Sequence, residues 1–163
     1  MFANFYHPQR RANKPLPNLS HLTERIERQV PPIADIDDLR NLPEGTFGRV
    51  WADHLDKNQI TPFAKGPRRK QLHDGIHVLT GYDTDAMGEA KVQAFLLGTQ
   101  FKLANFLLLL NFWRSARQES EVKERLYKAY QRGRNSCLNS DVWQPERLWL
   151  VSLEKVRRVY RIE

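Results

Sequence analysis

The chain of 163 residues contains one cysteine, Cys137. A single thiol excludes an internal disulfide framework and every cysteine-based zinc ribbon or finger. A metal site must therefore be built from His, Asp and Glu. Long apolar runs are also missing. The most apolar stretch, Leu103 to Trp113, holds Leu107, Leu108, Leu109 and Leu110 in a row but is bounded by Lys102 and Arg114. As a helix it spans roughly 16 Å, about half a bilayer core, so no transmembrane segment is expected. The first fourteen residues lack the apolar centre of a secretory signal; Arg10, Arg11 and Lys14 without an acid give only a faint transit-peptide character. Strand-period alternation and internal repeats are absent, which argues against a β-rich or repeat architecture. Acidic charge is in deficit, with 19 Asp and Glu against 26 Lys and Arg, a net of +7. That balance admits nucleic acid, an anionic membrane surface or an acidic small molecule as partner.

What is present describes one helical domain behind an arm. Apolar residues make up 40% of the chain, enough to bury a core in a single soluble domain. Five of the nine prolines fall within the first 32 residues. Residues 1–34 therefore read as a proline-rich arm with one short helix near Leu22 to Val30, and residues 35–163 as an all-helical domain. Thr46 is placed to cap a helix with the stripe Phe47, Val50, Trp51, and Thr61-Pro62 to end it. Leu72, Ile76 and Leu79 mark a helix closed by Gly81. One long helix runs from near Gly88 past Trp113. Val122, Leu126 and Tyr130 mark another, with Gly133 as its C-cap. The last starts at Pro145, with Trp149, Leu153, Val156 and Tyr160 as its stripe. The fold class is mainly α, a single-domain bundle of about six or seven helices. The leucine-rich segment reads as a central buried helix; its other reading is a helix that meets a lipid tail or a membrane surface.

The chemistry concentrates in His73-Asp74-Gly75-Ile76-His77. On a helix His73 and His77 project from one face, a ready clamp for a divalent cation, and Asp74 joins that face from its edge. Glu89 follows after a turn-forming stretch with Gly81, Asp83, Thr84, Asp85 and Gly88, which lets the next helix return its first turn to the histidine pair. Such a set of nitrogens and carboxylates suits zinc, and also iron(II) or manganese. Other metal classes share the spacing. Zinc proteases place a glutamate base after the first histidine, where this chain has the shorter Asp74. Phosphohydrolases built on a His-Asp doublet need a further histidine and a distant aspartate, for which His54 and Asp141 are available.

The pattern His-Asp, two residues, His, eleven residues, Glu resembles the signature of the ubiquinone biosynthesis protein four (coenzyme Q biosynthesis protein four) family. Leu42-Pro43-Glu44-Gly45-Thr46-Phe47-Gly48 is similar to the stretch with which that family's domain begins. Asn58, Ile60, Thr61 and Pro62 resemble the segment after it. Leu79, Gly81 and Gly88 flank the signature, and Ala129-Tyr130, Gly133, Trp143 and Val156-Arg157-Arg158 resemble its C-terminal landmarks. The likeness covers roughly residues 35–162. Only ten residues, Phe63 to Leu72, separate Pro62 from His73, where typical members carry a longer insert, and Leu96 and Leu97 stand where polar residues are common. The chain thus resembles a short, divergent, bacterial-type member.

The resemblance implies a role in ubiquinone biosynthesis, with His73, Asp74, His77 and Glu89 as ligands of a divalent metal, most simply zinc. It implies removal of the ring carboxyl of a polyprenylated hydroxybenzoate, the work of a zinc-dependent carbon–carbon lyase. The alternative is a non-catalytic isoprenoid-lipid scaffold that organises the other biosynthetic enzymes. Partners so implied are a prenylated quinone precursor, other quinone-biosynthesis proteins, an anionic membrane surface and a further copy of the chain. The implied location is cytoplasmic or peripheral on the inner face of a membrane, or the matrix side in a mitochondrion. Lys65, Arg68, Arg69 and Lys70 can steer an anionic head, and Phe95, Phe101 and Phe106 can line a groove for an isoprenoid tail, each buried CH₂ contributing about 0.8 kcal/mol. Nucleic acid is not expected, because the twelve basic residues from Arg114 onward are interspersed with seven acids and no nucleic-acid motif accompanies them.

Overall fold

The computed structural model describes residues 29–62, 65–116 and 121–162. The short helix expected near Leu22 and nearly all of the arm lie outside the described residues. The described residues form seven α-helices: α1 (Ile36–Arg40), α2 (Phe47–Lys57), α3 (Arg68–Thr80), α4 (Ala86–Thr99), α5 (Leu103–Ala116), α6 (Val122–Asn135) and α7 (Leu153–Tyr160). A two-residue antiparallel ladder joins β1 (Gln29–Val30) to β2 (Gly66–Pro67), with Val30 opposite Gly66. The fold is the mainly α domain the sequence predicts.

Three boundaries differ from the sequence reading. The long helix expected from Gly88 past Trp113 is two, because Gln100 is extended (φ −159°, ψ 127°) and the chain reverses there to pack α5 along α4. Gly133 does not cap α6, which runs on to Asn135. Pro145 opens only a 3₁₀ turn, Pro145–Arg147, and α7 starts later, where the Ser152 side chain accepts from the Lys155 amide. The leucine-rich α5 is not central either. Among its described side chains only Asn105 and Phe112 are buried; Leu107 to Leu110 are half-buried and Leu103 is exposed.

The core forms where α2, α3, α4 and α7 meet. Phe47, Trp51, Trp143 and Trp149 form an aromatic cluster with ring centroids 5.2–6.3 Å apart. Offset and edge-on pairs of this kind add about 0.5–1.5 kcal/mol each beyond area burial. Gly75 lets α3 lie directly on that cluster, since a Cβ there would stand 2.3 Å from Trp51 Cζ3 and 2.9 Å from Trp143 Cη2. The face of α3 bearing Leu72, Ile76 and Leu79 is thereby pinned to the core. The first-turn amides of α2, which have no partner within their own helix, are met by the C-terminal segment: Phe47 N–H donates to Val151 O and Gly48 N–H to Trp149 O.

Gln71 fixes the chain ahead of α1. Its buried amide accepts from Ile33 N–H and donates to the carbonyls of Val30, Pro31 and Gly66. Gln71→Leu leaves the Ile33 amide and these carbonyls without their partner. The expected loss is about 1–3 kcal/mol, with faster hydrogen exchange at Ile33. Unchanged exchange there would contradict the assignment.

Candidate metal centre

The ligand helix α3 is held at both ends. At its start Arg68 pairs with Glu146 and donates to Trp143 O at 3.0 Å. At its end Gly81 takes the left-handed conformation (φ 72°), and two arginines satisfy carbonyls of the last turn. Arg157 Nε donates to Leu79 O at 2.8 Å and Arg132 Nη1 to Thr80 O at 2.6 Å. Cations at a helix C-terminus also oppose the helix dipole favourably. After the turn, Asp85 caps α4 by accepting from the Gly88 amide at 2.7 Å, which places Glu89 in the first turn of α4 facing α3.

Three donors converge there. His73 Nε2 lies 3.1 Å from Glu89 Oε2, His77 Nε2 lies 3.2 Å from Glu89 Oε1, and the two Nε2 atoms are 3.2 Å apart. Zinc with bonds of about 2.0–2.1 Å in tetrahedral geometry separates its ligand atoms by about 3.3 Å, so this spacing fits the edges of such a site. His77 Nδ1–H donates to Tyr82 O at 3.0 Å, which fixes the tautomer and leaves Nε2 as the ligating atom. His77 is 1% exposed, whereas the side chains of His73 and Glu89 are 25% and 17% exposed, so the site opens on the His73 side.

The electrostatics suit a cation. Burial alone would raise the Glu89 carboxyl, but the charges and hydrogen bonds of His73 and His77 outweigh it and hold the pKa at about 2. Burial also disfavours the charged His73 ring, yet the Glu89 carboxylate beside it raises the pKa overall. Asp74 is not among the converging ligand atoms. It stands beside them, and burial raises its carboxyl above the usual range against the pull of His73 and His77.

The remaining candidates sort by position. Lys65 is exposed, Arg68 serves the Glu146 pair, and Arg69 reaches Asn105 on α5. Arg68, Arg69 and Lys70 form the first turn of α3. Phe95 is fully buried core, whereas Phe101 is 72% and Phe106 is 40% exposed, their rings 6.5 Å apart. The Tyr82 carbonyl, which the sequence reading did not assign to the site, enters it and leaves no signature in side-chain spacing. Of the two residues available to a His-Asp phosphohydrolase, His54 stacks on His77 with centroids 5.9 Å apart and planes inclined by 21°, whereas Asp141 pairs with Lys102.

His54 carries a pH signature of its own. Burial, followed by the neighbouring charges of His77 and Lys57, lowers its pKa to about 4. The unfolded chain therefore binds a proton at this residue between about pH 6.5 and 4 while the folded chain does not, and stability falls as pH drops through that window. The raised pKa of His73 acts with the opposite sign, giving stability below pH 6.5 that is lost as pH rises. It is shared by a His54→Phe variant. Urea unfolding of metal-free protein at pH 7 and 4.5 should show a smaller acid loss in His54→Phe than in the parent; equal losses would contradict the assignment.

No protein-family model matches the chain. The ubiquinone biosynthesis protein COQ4 homolog, mitochondrial, of Bos taurus is 35% identical over 75 aligned positions, covering 37% of this chain and 28% of the relative. The Aspergillus niger ubiquinone biosynthesis protein coq4, mitochondrial, is 29% identical over 107 positions, covering 56% of this chain and 36% of the relative. The chain thus spans about a quarter to a third of the length of these curated relatives. A solved structure of a proposed ubiquinone biosynthesis protein from Nostoc punctiforme shares the fold, with a TM-score of 0.68 at 24% identity over 91% of this chain and 76% of that one.

Proposed function

Because the chain belongs to the ubiquinone biosynthesis protein COQ4 family, we propose that it serves the biosynthesis of ubiquinone or a related isoprenoid quinone. In this reading it holds the head of a polyprenylated hydroxybenzoate at a metal centre formed by His73, His77 and Glu89. The observation that carries the reading is the three-donor set. His73, His77 and Glu89 would hold the ion through three protein donors, one fewer than a closed structural zinc site has, so a bound metal would be open to an oxygen of the substrate. The donors include no thiolate, so iron(II) or manganese also suits them.

The metal, when bound, supplies a Lewis acid for an oxygen of the substrate. The protein's own residues set the rest. Tyr82 O orients His77, Glu89 balances the charge of the site, and the core around Gly75 holds the ligand helix still. In the proposed reaction the bond between the ring carbon and its carboxyl breaks, carbon dioxide leaves, the electron pair stays on the ring, and the ring carbon takes a proton. The tail lies toward α5, where exposed Phe101 and Leu103 offer apolar surface.

A second reading, an isoprenoid-lipid scaffold without turnover, is favoured by that same exposed apolar surface. No helix among the described residues is long and apolar enough to cross a membrane, and both readings place the chain peripherally, beside other quinone-biosynthesis proteins. A surface depression of about 660 Å³ between α6 and α7, lined by Lys128, Arg132, Arg158 and Arg161 among others, supports attraction to anionic surfaces and contains none of the metal-site residues. Incubating metal-loaded protein with a prenylated hydroxybenzoate, with and without air, decides between the readings. Carbon dioxide release that is lost in Glu89→Gln supports the lyase. Bound but unchanged substrate overturns it in favour of the scaffold.

A further inference from the structure

A carbonyl that orients a ligand is only as fixed as the peptide that carries it. Tyr82 O accepts from His77 Nδ1–H at 3.0 Å, and Tyr82 lies in the turn between α3 and α4, outside any helix or strand. Two anchors hold that turn. Thr84 Oγ1 donates to Asn58 Oδ1 at 3.2 Å, which ties the turn to the end of α2. The Tyr82 ring is the other anchor. Lys91 Nζ on α4 stands 4.8 Å from the ring centroid and the Arg132 guanidinium on α6 stands 5.4 Å from it. Both distances fall within the range at which a cation is attracted to an aromatic face.

Arg132 is itself fixed by what its nitrogens reach. Nη1 donates to Thr80 O at 2.6 Å and Nη2 to Ile162 O at 3.4 Å. One side chain from α6 thus joins the last residue of the ligand helix α3, the turn that follows it and the C-terminal segment. A planar guanidinium can donate from its edge and stack with its face at once, a combination that a lysine ammonium does not offer.

The geometry points to Arg132 as a positioning residue of the metal centre: from outside the ligand set it holds the Tyr82 ring, and through it the carbonyl that aims the His77 imidazole. Lys91 supports the same ring from α4. The inference rests on the metal-centred reading above and deepens it, since it names a residue that sets how tightly the centre holds its ion without touching that ion. An arginine that only capped α3 through Thr80 O would support folding and leave the affinity of the folded site unchanged.

Zinc affinity of the full chain, measured by competition with a chromophoric chelator where every variant is folded, separates these roles. Arg132→Gln should weaken zinc about tenfold, the lower end of the range for groups that orient a ligand. Tyr82→Leu keeps the backbone carbonyl, loses the ring and should weaken zinc to the same degree, and it carries the test should Arg132→Gln impair folding. Tyr82→Phe keeps an aromatic face and should recover most of that loss. Residues that act through one contact are not additive, so the Arg132→Gln/Tyr82→Leu pair should be no more than about twofold weaker than either single variant. Proton NMR gives a second readout: the His77 Nδ1–H should exchange with solvent faster in both single variants than in the parent. Parental zinc affinity in folded Arg132→Gln, whatever its Tm, or losses that add in the double variant would overturn the assignment and leave the metal centre standing. A parent protein that binds no zinc would overturn the metal-centred reading; the His77 exchange rate then decides the positioning role alone, and an unchanged rate in both variants would overturn that as well.

Discussion

Alanine at His77 removes stoichiometric metal from the purified chain, and alanine at His73 or glutamine at Glu89 weakens its retention: that is the expected outcome of elemental analysis after dialysis. Changes in groups that merely orient a ligand already cost 10–100-fold in metal affinity, so losing one ligand of three should cost more than about 100-fold. The order among the variants follows from burial. His77 is 1% exposed and its ring is fixed by Tyr82 O, so nothing replaces its nitrogen. His73 is 25% exposed, and water can take its place in part. Asp74→Asn should keep its metal, because the Asp74 carboxylate is outside the converging set. Metal retained in full by both histidine variants would contradict the site; metal lost in Asp74→Asn would restore the four-ligand set that the family resemblance implies.

The second large effect lies far from the chemistry. Gly133→Ala should destabilise the fold by at least about 3 kcal/mol, the upper range for overpacking. The helices α4 and α6 are the most extensively packed pair, and at their crossing a Cβ on Gly133 would stand 2.0 Å from Phe95 O and 2.9 Å from Phe95 C. Both atoms belong to the backbone of α4, so no side chain can swing aside and the helices must part. The gain in helix propensity from glycine to alanine, about 1 kcal/mol, is too small to offset this. A loss of about 3 kcal/mol corresponds to roughly 6–12 °C in Tm for a domain of this size. A melting temperature within 2 °C of the parent would show that the crossing is looser than the structure has it.

The same glycine shows where sequence reading stops. Its place near the end of the Val122, Leu126, Tyr130 stripe suggested a C-cap, and its real role, close approach to a helix 38 residues earlier in the chain, has no local signature. The split between α4 and α5 was hidden for a related reason. Leu96, Leu97 and the leucines from Leu107 are apolar without clear periodicity, so nothing local marked the reversal that tertiary packing imposes at Gln100. The features that were legible are those whose information is local. His73 and His77 at spacing four, the turn residues before Glu89, and the helix end at Gly81 all appear in the structure as the spacing predicts. Asp74 is the instructive member of that group. Adjacent to His73 in sequence, it is turned by the helix to the edge of the face, and spacing alone could not decide its reach.

X-ray absorption of the zinc-loaded full chain tests the central claim most directly. The account predicts a shell at about 2.0–2.1 Å containing two imidazoles and one carboxylate, with one further oxygen position that exchanges when a carboxylate ligand is added. A shell without imidazole, or one closed by four protein donors that no added ligand alters, would contradict it.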